Sequence, residues 1–388
     1  MKQLFIFIAF SSIFPSLSSQ NCGFKTIGTA FVDDILRGPN RVASLRSSLI
    51  IPVVVHVVRH TTDDVVSDAS VFAQIDILNR DFNAKNGDLQ NVPAEFKDKI
   101  GNVGIQFCLV TKDSIGTPHS GIIRVRTTVK TIGLKDSLFS DKLGGSTSWN
   151  TSKYLNIWVA NTGQSITGIG SYPTLTPQLN EGVVIHPRYF GQNTTDKFGL
   201  GRVAVHEIGH YFGLYHTWGK TRDSLCTSDE VEDTPPQESA YTGCPIYPQY
   251  ACNASNMFMN FMDYVDDPCM LLFTNGQKER MLATITHFRQ GLLQSAVCSI
   301  NPNRDIVVRT YPNPARNTIN VDYNLTDKFE DAYISLFDFT GREIKRQKIY
   351  TNRSQAQWQT EQMQAGLYLI SIYADKRLVW QTKVSVQK

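Results

Sequence analysis

The amino-acid sequence predicts an α/β (α+β) domain with a mixed, twisted sheet, followed by a small all-β domain of the immunoglobulin-like sandwich type. The first domain is indicated by nearly continuous β-branched apolar runs that alternate with helical patterns. The second is indicated by a change to short strands with alternating apolar and polar residues near the C-terminus. The length of 388 residues also favours more than one domain.

The N-terminal segment, residues 1–19, is predicted to be a secretory signal peptide. Lys2 gives it a positive start, an apolar run covers residues 4–14, and small residues follow at 16–19. The run is too short to span a bilayer, and no later stretch is long and apolar enough to be a transmembrane segment. We therefore expect a soluble protein that passes through the periplasm to the cell surface or the medium.

Charge gives no reason to expect nucleic acid or a membrane surface as a partner. The chain carries 38 Lys and Arg against 35 Asp and Glu, a formal net charge of +3, and it has no long run of one sign. It also contains seven cysteines, most of which should be paired in an exported protein.

The middle of the chain is predicted to contain a pro-segment, residues 20–46, and a catalytic domain, residues 47–300. The pro-segment offers Arg37, Arg41 and Arg46 to a processing protease. Thr274 or Asn275 is suited to cap the last helix of the catalytic domain. The predicted strands are 49–58, 104–110, 155–161 and 182–187, and the predicted helices are 71–82, 200–214 and 274–293.

The C-terminal region is predicted to be a polar linker, residues 301–309, and a β-sandwich, residues 310–388. Gly341 and the sequence ADKR are suited to turns between its strands. The predicted strands are 318–325, 332–341, 366–373 and 377–386.

The stretch AVHEIGHYFGLYHTWG is the candidate metal site. On a helix, His206 and His210 project from one face, about 6 Å apart along the axis, so that both imidazoles can reach one ion. His216 would be about 9 Å further along if the helix continued. The chain must therefore leave the helix before His216, and Gly213 allows the required turn.

Three neutral imidazoles leave one position of a tetrahedral zinc ion for water, as in catalytic zinc sites. Glu207 cannot easily share the metal with His206, but it can take a proton from the bound water and pass it to a leaving amine. The alternative is a surface helix with incidental histidines.

The motif His-Glu-x-x-His-x-x-Gly-x-x-His resembles that of the metzincin zinc peptidases, in which a methionine turn follows. The stretch NFMDYVDDPCMLLFT resembles this turn. The resemblance implies that Met262 forms an apolar floor beneath the three imidazoles at the active-site helix. It also implies that Tyr264 donates a hydrogen bond to the developing oxyanion.

Within this clan, NFMDYVDD, FCLV and DEVEDTP resemble the pappalysin family and its ulilysin-like members. The resemblance covers residues 47–298 and implies endopeptidase activity on protein or peptide substrates. It further implies two disulfides, Cys226–Cys252 and Cys244–Cys269. Cys108–Cys298 is a possible third pair.

Cys22 then remains, and NCGF resembles a pro-segment switch in which a cysteine binds the zinc and keeps the precursor latent. Asp33 or Asp34 is an alternative blocking group, because a carboxylate also binds zinc. Another alternative is that Cys22 pairs with Cys108 or Cys298, or has no such role.

The acidic sequence SDEVEDTPPQ is a candidate calcium site, since oxygen ligands from one loop suit Ca²⁺. The resemblance also implies calcium near this place, and the alternative is a solvated acidic loop. The candidate ligands are Asp229, Asp233 and Thr234, beside Glu230 and Glu232.

The last domain, with YPNPARNTINVDY and GLYLISIY, resembles the sorting domain of the type IX secretion system. That resemblance implies contact with the secretion machinery and removal of the domain on export. The alternative is an accessory β-sandwich that binds carbohydrate or protein.

These observations together predict a secreted monomeric zinc endopeptidase, made as a latent precursor, with one catalytic Zn²⁺ and a structural Ca²⁺. Its substrate should lie extended against an edge strand near GIGSYP. Two alternatives are a catalytically silent adhesion or binding protein on a protease fold and a zinc peptidase whose third ligand is a distant glutamate. Intact Glu207 argues against the first, and His216 argues against the second.

Overall fold

The computed structural model divides into two compact units, Met1–Cys298 and Ser299–Lys388. The predicted signal peptide lies outside the described residues, as do Arg41 and Arg46 of the predicted pro-segment. The described residues are 22, 30–37, 49–61, 65–117, 119–175, 178–193, 195–219, 226–294, 306–325, 329, 331–351, 353–374 and 377–388.

The first unit combines four helices with ten strands among the described residues. Its helices are α1 (Ala30–Arg37), α2 (Asp68–Asp81), α3 (Arg202–Tyr211) and α4 (Asn275–Phe288). Its strands are β1 (Leu49–Arg59), β2 (Ile105–Leu109), β3 (Ile122–Arg126), β4 (Leu155–Ala160), β5 (Gly168–Gly170), β6 (Val183–Ile185), β7 (Thr242–Gly243), β8 (Tyr250–Ala251), β9 (Ala254–Ser255) and β10 (Tyr264–Val265).

The main sheet is mixed, as predicted, and has the order β2-β1-β4-β6-β5, with β3 also paired to β1. Strand β1 runs parallel to β2, β3 and β4, and β4 runs parallel to β6. Only β5 is antiparallel to its neighbour in this sheet, and it lies at the edge. The nearly continuous apolar sequence of β1 follows from its position, because its side chains are buried on both faces of the sheet.

The helices begin where the sequence provides caps. Ser67 accepts a hydrogen bond from the backbone of Ser70 at the start of α2. Thr274 caps α4 and forms a capping box with Gln277, which resolves the alternative between Thr274 and Asn275. Helix α4 is shorter than predicted, because the chain leaves helical geometry at Arg289, whose guanidinium donates to the carbonyl of Tyr211.

One large apolar core joins the sheet, α2, α3 and the segment around Met262. This core holds α3 against the sheet, and all ten residues of the helix are buried. The predicted helix 200–214 is therefore confirmed in its central part. None of the helices in the described parts of the chain is both long and apolar enough to cross a membrane.

The second unit consists of two antiparallel sheets, with the orders β11-β12-β15 and β14-β13-β16-β17, whose apolar side chains share one core. Its strands are β11 (Ile306–Tyr311), β12 (Thr318–Leu325), β13 (Ala332–Phe337), β14 (Glu343–Ile349), β15 (Arg353–Gln359), β16 (Gly366–Ala374) and β17 (Arg377–Val386).

Two features of the second unit differ from the sequence prediction. Strand β11 begins inside the predicted linker 301–309, because Ile306 to Tyr311 pair with β12 along its whole length. Strands β14 and β15 were not predicted. Strand β14 has an almost entirely polar, exposed sequence, EIKRQKI, so apolar periodicity could not reveal it.

Candidate metal centre

The three predicted ligands come together as their spacing requires. Helix α3 carries His206 and His210 on one face, and the chain leaves the helix directly after Tyr211. Gly213 adopts a φ of +85°, a left-handed conformation that favours glycine. This turn brings His216 back towards the helix, so that its ring lies 4.5 Å from that of His210, centroid to centroid.

The imidazole Nε2 atoms of the three histidines converge. The Nε2 atom of His210 lies 3.1 Å from that of His206 and 3.1 Å from that of His216. Nitrogen ligands about 2.0–2.1 Å from a tetrahedral zinc ion lie about 3.3–3.4 Å from one another. The separation observed between the nitrogens is close to this value, so the residues fit a bound zinc ion.

Backbone carbonyls orient two of these rings. The Nδ1 atom of His206 lies 2.7 Å from the carbonyl of Phe261, and that of His210 lies 2.8 Å from the carbonyl of Leu214. A proton on each Nδ1 leaves the Nε2 lone pair free to bind metal. Burial lowers the pKa of His206 to about 4 and that of His210 well below its ordinary value, which favours the neutral, ligating form.

Glu207 lies in the middle of α3 and contacts the same cluster through Cys22. It is fully buried, and its Oε2 atom accepts a hydrogen bond of 3.2 Å from the Cys22 thiol. Its Oε1 atom is buried and has no hydrogen-bond partner among the described residues. Burial raises the pKa of Glu207 to about 8, although the hydrogen bond from Cys22 opposes this shift. The carboxyl is therefore suited to exchange a proton near neutral pH.

The predicted methionine turn lies beneath the histidines. A Cβ atom on Gly209 would come within 2.5 Å of the Met262 sulfur, so glycine is needed there for close packing of this side chain on α3. Met262 is fully buried. Tyr264 is two residues further on, and its ring lies 5.7 Å from that of His206 and 5.0 Å from that of His216.

Sequence reasoning did not identify Trp218, which stacks on His216 with ring centroids 4.3 Å apart and planes 8° apart. The indole also contacts the Tyr264 ring, at 4.8 Å between centroids. Trp218 therefore fixes the orientation of both rings. The sequence signal that could have identified Trp218 is its position, since it is an aromatic residue two positions after the last histidine of the motif.

Sequence reasoning also missed the reason for the two glycines of β5. A Cβ on Gly168 would lie 2.7 Å from the side chain of Glu207, and one on Gly170 would lie 2.4 Å from the Glu207 carbonyl. The edge strand can approach α3 so closely only because these residues lack side chains. This close packing places the edge of the sheet beside Glu207.

Cys22 belongs to the same cluster. Its Sγ atom and one nitrogen from each of His206, His210 and His216 all lie within 4.8 Å of one another. Its backbone N–H donates a hydrogen bond of 3.3 Å to the Tyr264 hydroxyl. Cys22 also forms a parallel β-bridge with Gly168. The Cys22 thiol thus lies against the histidines and Glu207, and the Cys22 backbone contacts Tyr264.

Neither alternative blocking aspartate lies against the histidines. Asp33 is fully buried, but its carboxylate forms an ion pair with Arg280 at 2.5 Å and accepts a hydrogen bond from the Tyr215 hydroxyl at 2.9 Å. Asp34 is exposed. Among the described residues of the pro-segment, Cys22 is therefore the one that reaches the candidate metal centre.

Disulfides occur at both implied positions. Cys226–Cys252 and Cys244–Cys269 have Cα separations of 5.5 and 5.7 Å. The second bridge attaches the loop after His216 to the segment that follows the methionine turn. Cys108 is also disulfide-bonded, but its suggested partner Cys298 lies outside the described residues.

The predicted calcium ligands make hydrogen bonds within the protein. The Thr234 hydroxyl lies 2.7 and 2.8 Å from the two carboxylate oxygens of Asp229. Asp233 instead accepts hydrogen bonds from Thr274 and from the backbone of Gly276. Among the described residues, the acidic loop is not one of the side-chain groups that could hold a metal ion, so calcium receives no support here.

Two protein families match the chain. Residues 139–286 match the peptidase M43 family, described as pregnancy-associated plasma protein-A. Residues 309–387 match the secretion system C-terminal sorting domain.

Individual relatives match over a longer part of the chain. An extracellular metalloprotease of Pyricularia oryzae is 32% identical over 262 residues, which is 64% of this chain and 80% of the relative. Tannerella forsythia promirolysin, solved as a mutant, is 38% identical with a TM-score of 0.62, over 64% of this chain and 85% of that one. Mature mirolysin in complex with a cleaved peptide is 40% identical with a TM-score of 0.61, over 64% and 96% of the respective chains.

The fold, the histidine cluster and these matches define a secreted metalloendopeptidase of the metzincin type. They favour this class over a catalytically silent binding protein. The chain belongs to the pappalysin family, peptidase M43, and carries a C-terminal sorting domain of the secretion-system type.

Proposed function

We propose that the protein is the latent precursor of a zinc endopeptidase, with the metal held by His206, His210 and His216. The observation that carries this proposal is the convergence of three imidazole Nε2 atoms beside the Cys22 thiol, which donates a hydrogen bond to the Glu207 carboxylate. Nitrogen ligands on a buried, neutral imidazole cluster suit zinc. When bound, zinc would polarise the attacking water and the scissile carbonyl.

Glu207 would act as the general base and then as the general acid. Its Oε1 atom is available to accept a proton from the attacking water and to pass it to the leaving amine. A nearby dication stabilises the carboxylate form and so opposes the raised pKa that burial produces.

Tyr264 would stabilise the developing oxyanion. Its hydroxyl lies 3.3 Å from the backbone nitrogen of Cys22, and the Cys22 thiol occupies the space in front of Glu207. A substrate carbonyl in that space would be within reach of the same hydroxyl.

Strand β5 would bind the substrate backbone. It is the edge strand of the main sheet, and Gly168 already forms a bridge with Cys22. This bridge supports the prediction that an extended peptide can pair with the edge beside Glu207.

The Cys22 thiol would maintain latency by occupying the position that the attacking water needs. A thiolate is a strong zinc ligand, and the Sγ atom already belongs to the histidine cluster. Removal of the pro-segment, residues 20–46, would then release the active domain, residues 47–300. We propose that the active form is a monomer.

Metal exchange tests the proposal. The processed protein should digest casein, lose this activity to a zinc chelator, and regain it when Zn²⁺ is added in stoichiometric amount. Digestion that continues with no bound metal, as measured by elemental analysis, would contradict the assignment.

Calcium at Asp229, Asp233 and Thr234 remains a prediction. Burial raises the pKa of Asp229 to about 7, although the hydrogen bond from Thr234 opposes this shift. A bound cation favours the ionised form of a carboxyl group. Calcium would therefore lower the raised pKa of Asp229 and stabilise this loop.

The C-terminal unit would act as the type IX sorting domain, with its two sheets arranged as an immunoglobulin-like sandwich. Its separate apolar core supports an independent fold for this unit. Secretion machinery would recognise it, and removal would follow export.

Deletion of residues 306–388 tests the sorting role. This deletion removes β11 together with the other strands and leaves the core of the first unit intact. The truncated protein should accumulate in the periplasm, as measured by immunoblotting of cell fractions and medium. Normal secretion of the truncated protein would refute the role.

A further inference from the structure

Helix α1 contacts the first unit at a second place, away from the histidine cluster. Its Asp33 is fully buried, and two groups of the catalytic part donate to its carboxylate. These are the Arg280 guanidinium, at 2.5 Å, and the Tyr215 hydroxyl, at 2.9 Å. The Tyr172 hydroxyl lies 3.4 Å from the same carboxylate.

The three groups that surround Asp33 are held in place by the catalytic part itself. Arg280 donates from Nε to the carbonyl of Gly213 at 2.7 Å, and its guanidinium lies over the Tyr215 ring. Tyr172 stacks on Tyr215 with ring centroids 4.9 Å apart. The pocket therefore keeps its donors in position by contacts that do not involve the pro-segment.

Apolar side chains of α1 close the pocket. Val32 and Leu36 pack with Tyr172, Tyr215, Ala283 and Phe288 in one small cluster. Departure of α1 would uncover this surface and remove the carboxylate from the Arg280 guanidinium, which is 5% exposed while α1 is in place. The guanidinium and the two hydroxyls would then face the cleft as fixed donors without the carboxylate that they bind in the precursor, so the vacated pocket should attract another one.

The pocket is close to the reacting centre. Gly213, whose carbonyl Arg280 binds, lies between the ligand candidates His210 and His216. Tyr172 follows the edge strand β5 by two residues, and four residues of extended chain from Gly168 reach at most about 14 Å. In a substrate peptide paired with β5, one residue would take the place of Cys22 beside Gly168. A residue about four positions away in the same peptide could then place its side chain in the pocket.

We propose that Arg280, Tyr172 and Tyr215 form a carboxylate-binding subsite, which Asp33 fills in the precursor and an acidic residue of the substrate fills in the processed enzyme. The inference rests on the proposed endopeptidase function and deepens it. The substrate class is a peptide with Asp or Glu at a fixed distance from the cleaved bond.

The test uses processed protein and a series of peptides with one cleavable bond. Each pair of peptides differs only by Asp or Asn at one position, from about two to about six residues from that bond on either side. At one position, kcat/KM for the Asp peptide should exceed that for the Asn peptide by about tenfold, since hydrogen bonds to a charged group are strong.

Variants identify the residues of the subsite. For each variant, kcat/KM for the Asp peptide is divided by kcat/KM for the Asn peptide, so that a general loss of activity does not change this Asp/Asn ratio. Tyr215→Phe keeps the ring but removes a donor, and it should lower the ratio several-fold. Arg280→Gln should reduce the ratio to about one. Arg289→Gln is the matched control. Arg289 is also buried and lies over a tyrosine ring, that of Tyr211, but its guanidinium pairs with Glu181. This variant should keep the wild-type Asp/Asn ratio.

Two outcomes would overturn the subsite proposal without affecting the proposed endopeptidase function. These are an Asp/Asn ratio of one at every position in an enzyme that cleaves both peptides, and a ratio that survives Arg280→Gln. Failure of the wild-type protein to cleave any peptide would instead overturn the endopeptidase function on which the subsite rests.

Discussion

Replacing Glu207 by glutamine should lower the rate of casein digestion by the processed protein by about two to four orders of magnitude. The amide keeps the size of the side chain but cannot accept a proton from the attacking water. Because backbone carbonyls orient His206 and His210, and Trp218 stacks on His216, the variant should bind the same amount of zinc. Digestion is measured by release of soluble peptides, and zinc by elemental analysis. Glu207→Ala should give the same result.

The matched control is Glu181→Gln, which changes another buried carboxylate of the same unit. Glu181 pairs with Arg289 rather than facing the histidines. Its replacement should change digestion by no more than a few-fold once the folded fraction has been measured. Equal proteolysis by wild type and Glu207→Gln at equal zinc content would overturn the assigned role.

The histidine cluster could be predicted because its information is local. The spacing of His206 and His210 depends only on helix geometry. Gly213 then has a positive φ in the structure, as the turn to His216 requires. Met262 is distant in the sequence and was identified through family resemblance, and its packing on Gly209 gives the physical reason for its position.

Contacts between distant segments could not be predicted from such patterns. The Asp33–Arg280 ion pair joins residues separated by most of the chain, and neither residue belongs to a motif. For the same reason, Asp33 was a plausible metal-blocking group in the sequence, whereas its carboxylate binds Arg280 in the structure. Trp218 was missed because stacking on His216 depends on the path of the chain after the turn.

The same distinction, between local sequence patterns and contacts of distant segments, applies to the secondary structure. Strand β1 was predictable because its sequence is almost continuously apolar, and α4 began at the expected cap. Strand β5 has only three residues, and two of them are glycines with poor intrinsic strand propensity. Its strand conformation comes from pairing with β6 and from close contact with α3.

On the proposed role of Cys22 in latency, Cys22→Ser should make the uncleaved precursor active. The serine hydroxyl is a weak zinc ligand, so the pro-segment would lose its contact at the histidine cluster while α1 keeps its anchor at Arg280. A contact that contributes about 3 kcal/mol corresponds to about a hundredfold change. We therefore expect the intact variant to hydrolyse a small peptide about a hundred times faster than the intact wild-type precursor.

The measurement uses initial rates, with electrophoresis to show that the chain remains uncleaved. Asp34→Asn is the matched control, because Asp34 belongs to the same pro-segment but is exposed, and this variant should stay latent. Precursor loaded with Co²⁺ gives an independent readout, since sulfur-to-metal charge-transfer absorption should appear in wild type and be lost in Cys22→Ser. Full activity of the uncleaved wild-type precursor, or unchanged latency of Cys22→Ser, would show that the thiol does not block the site. The remaining restraint would then be the α1 anchor, because it is the other place where described residues of the pro-segment are buried against the catalytic part.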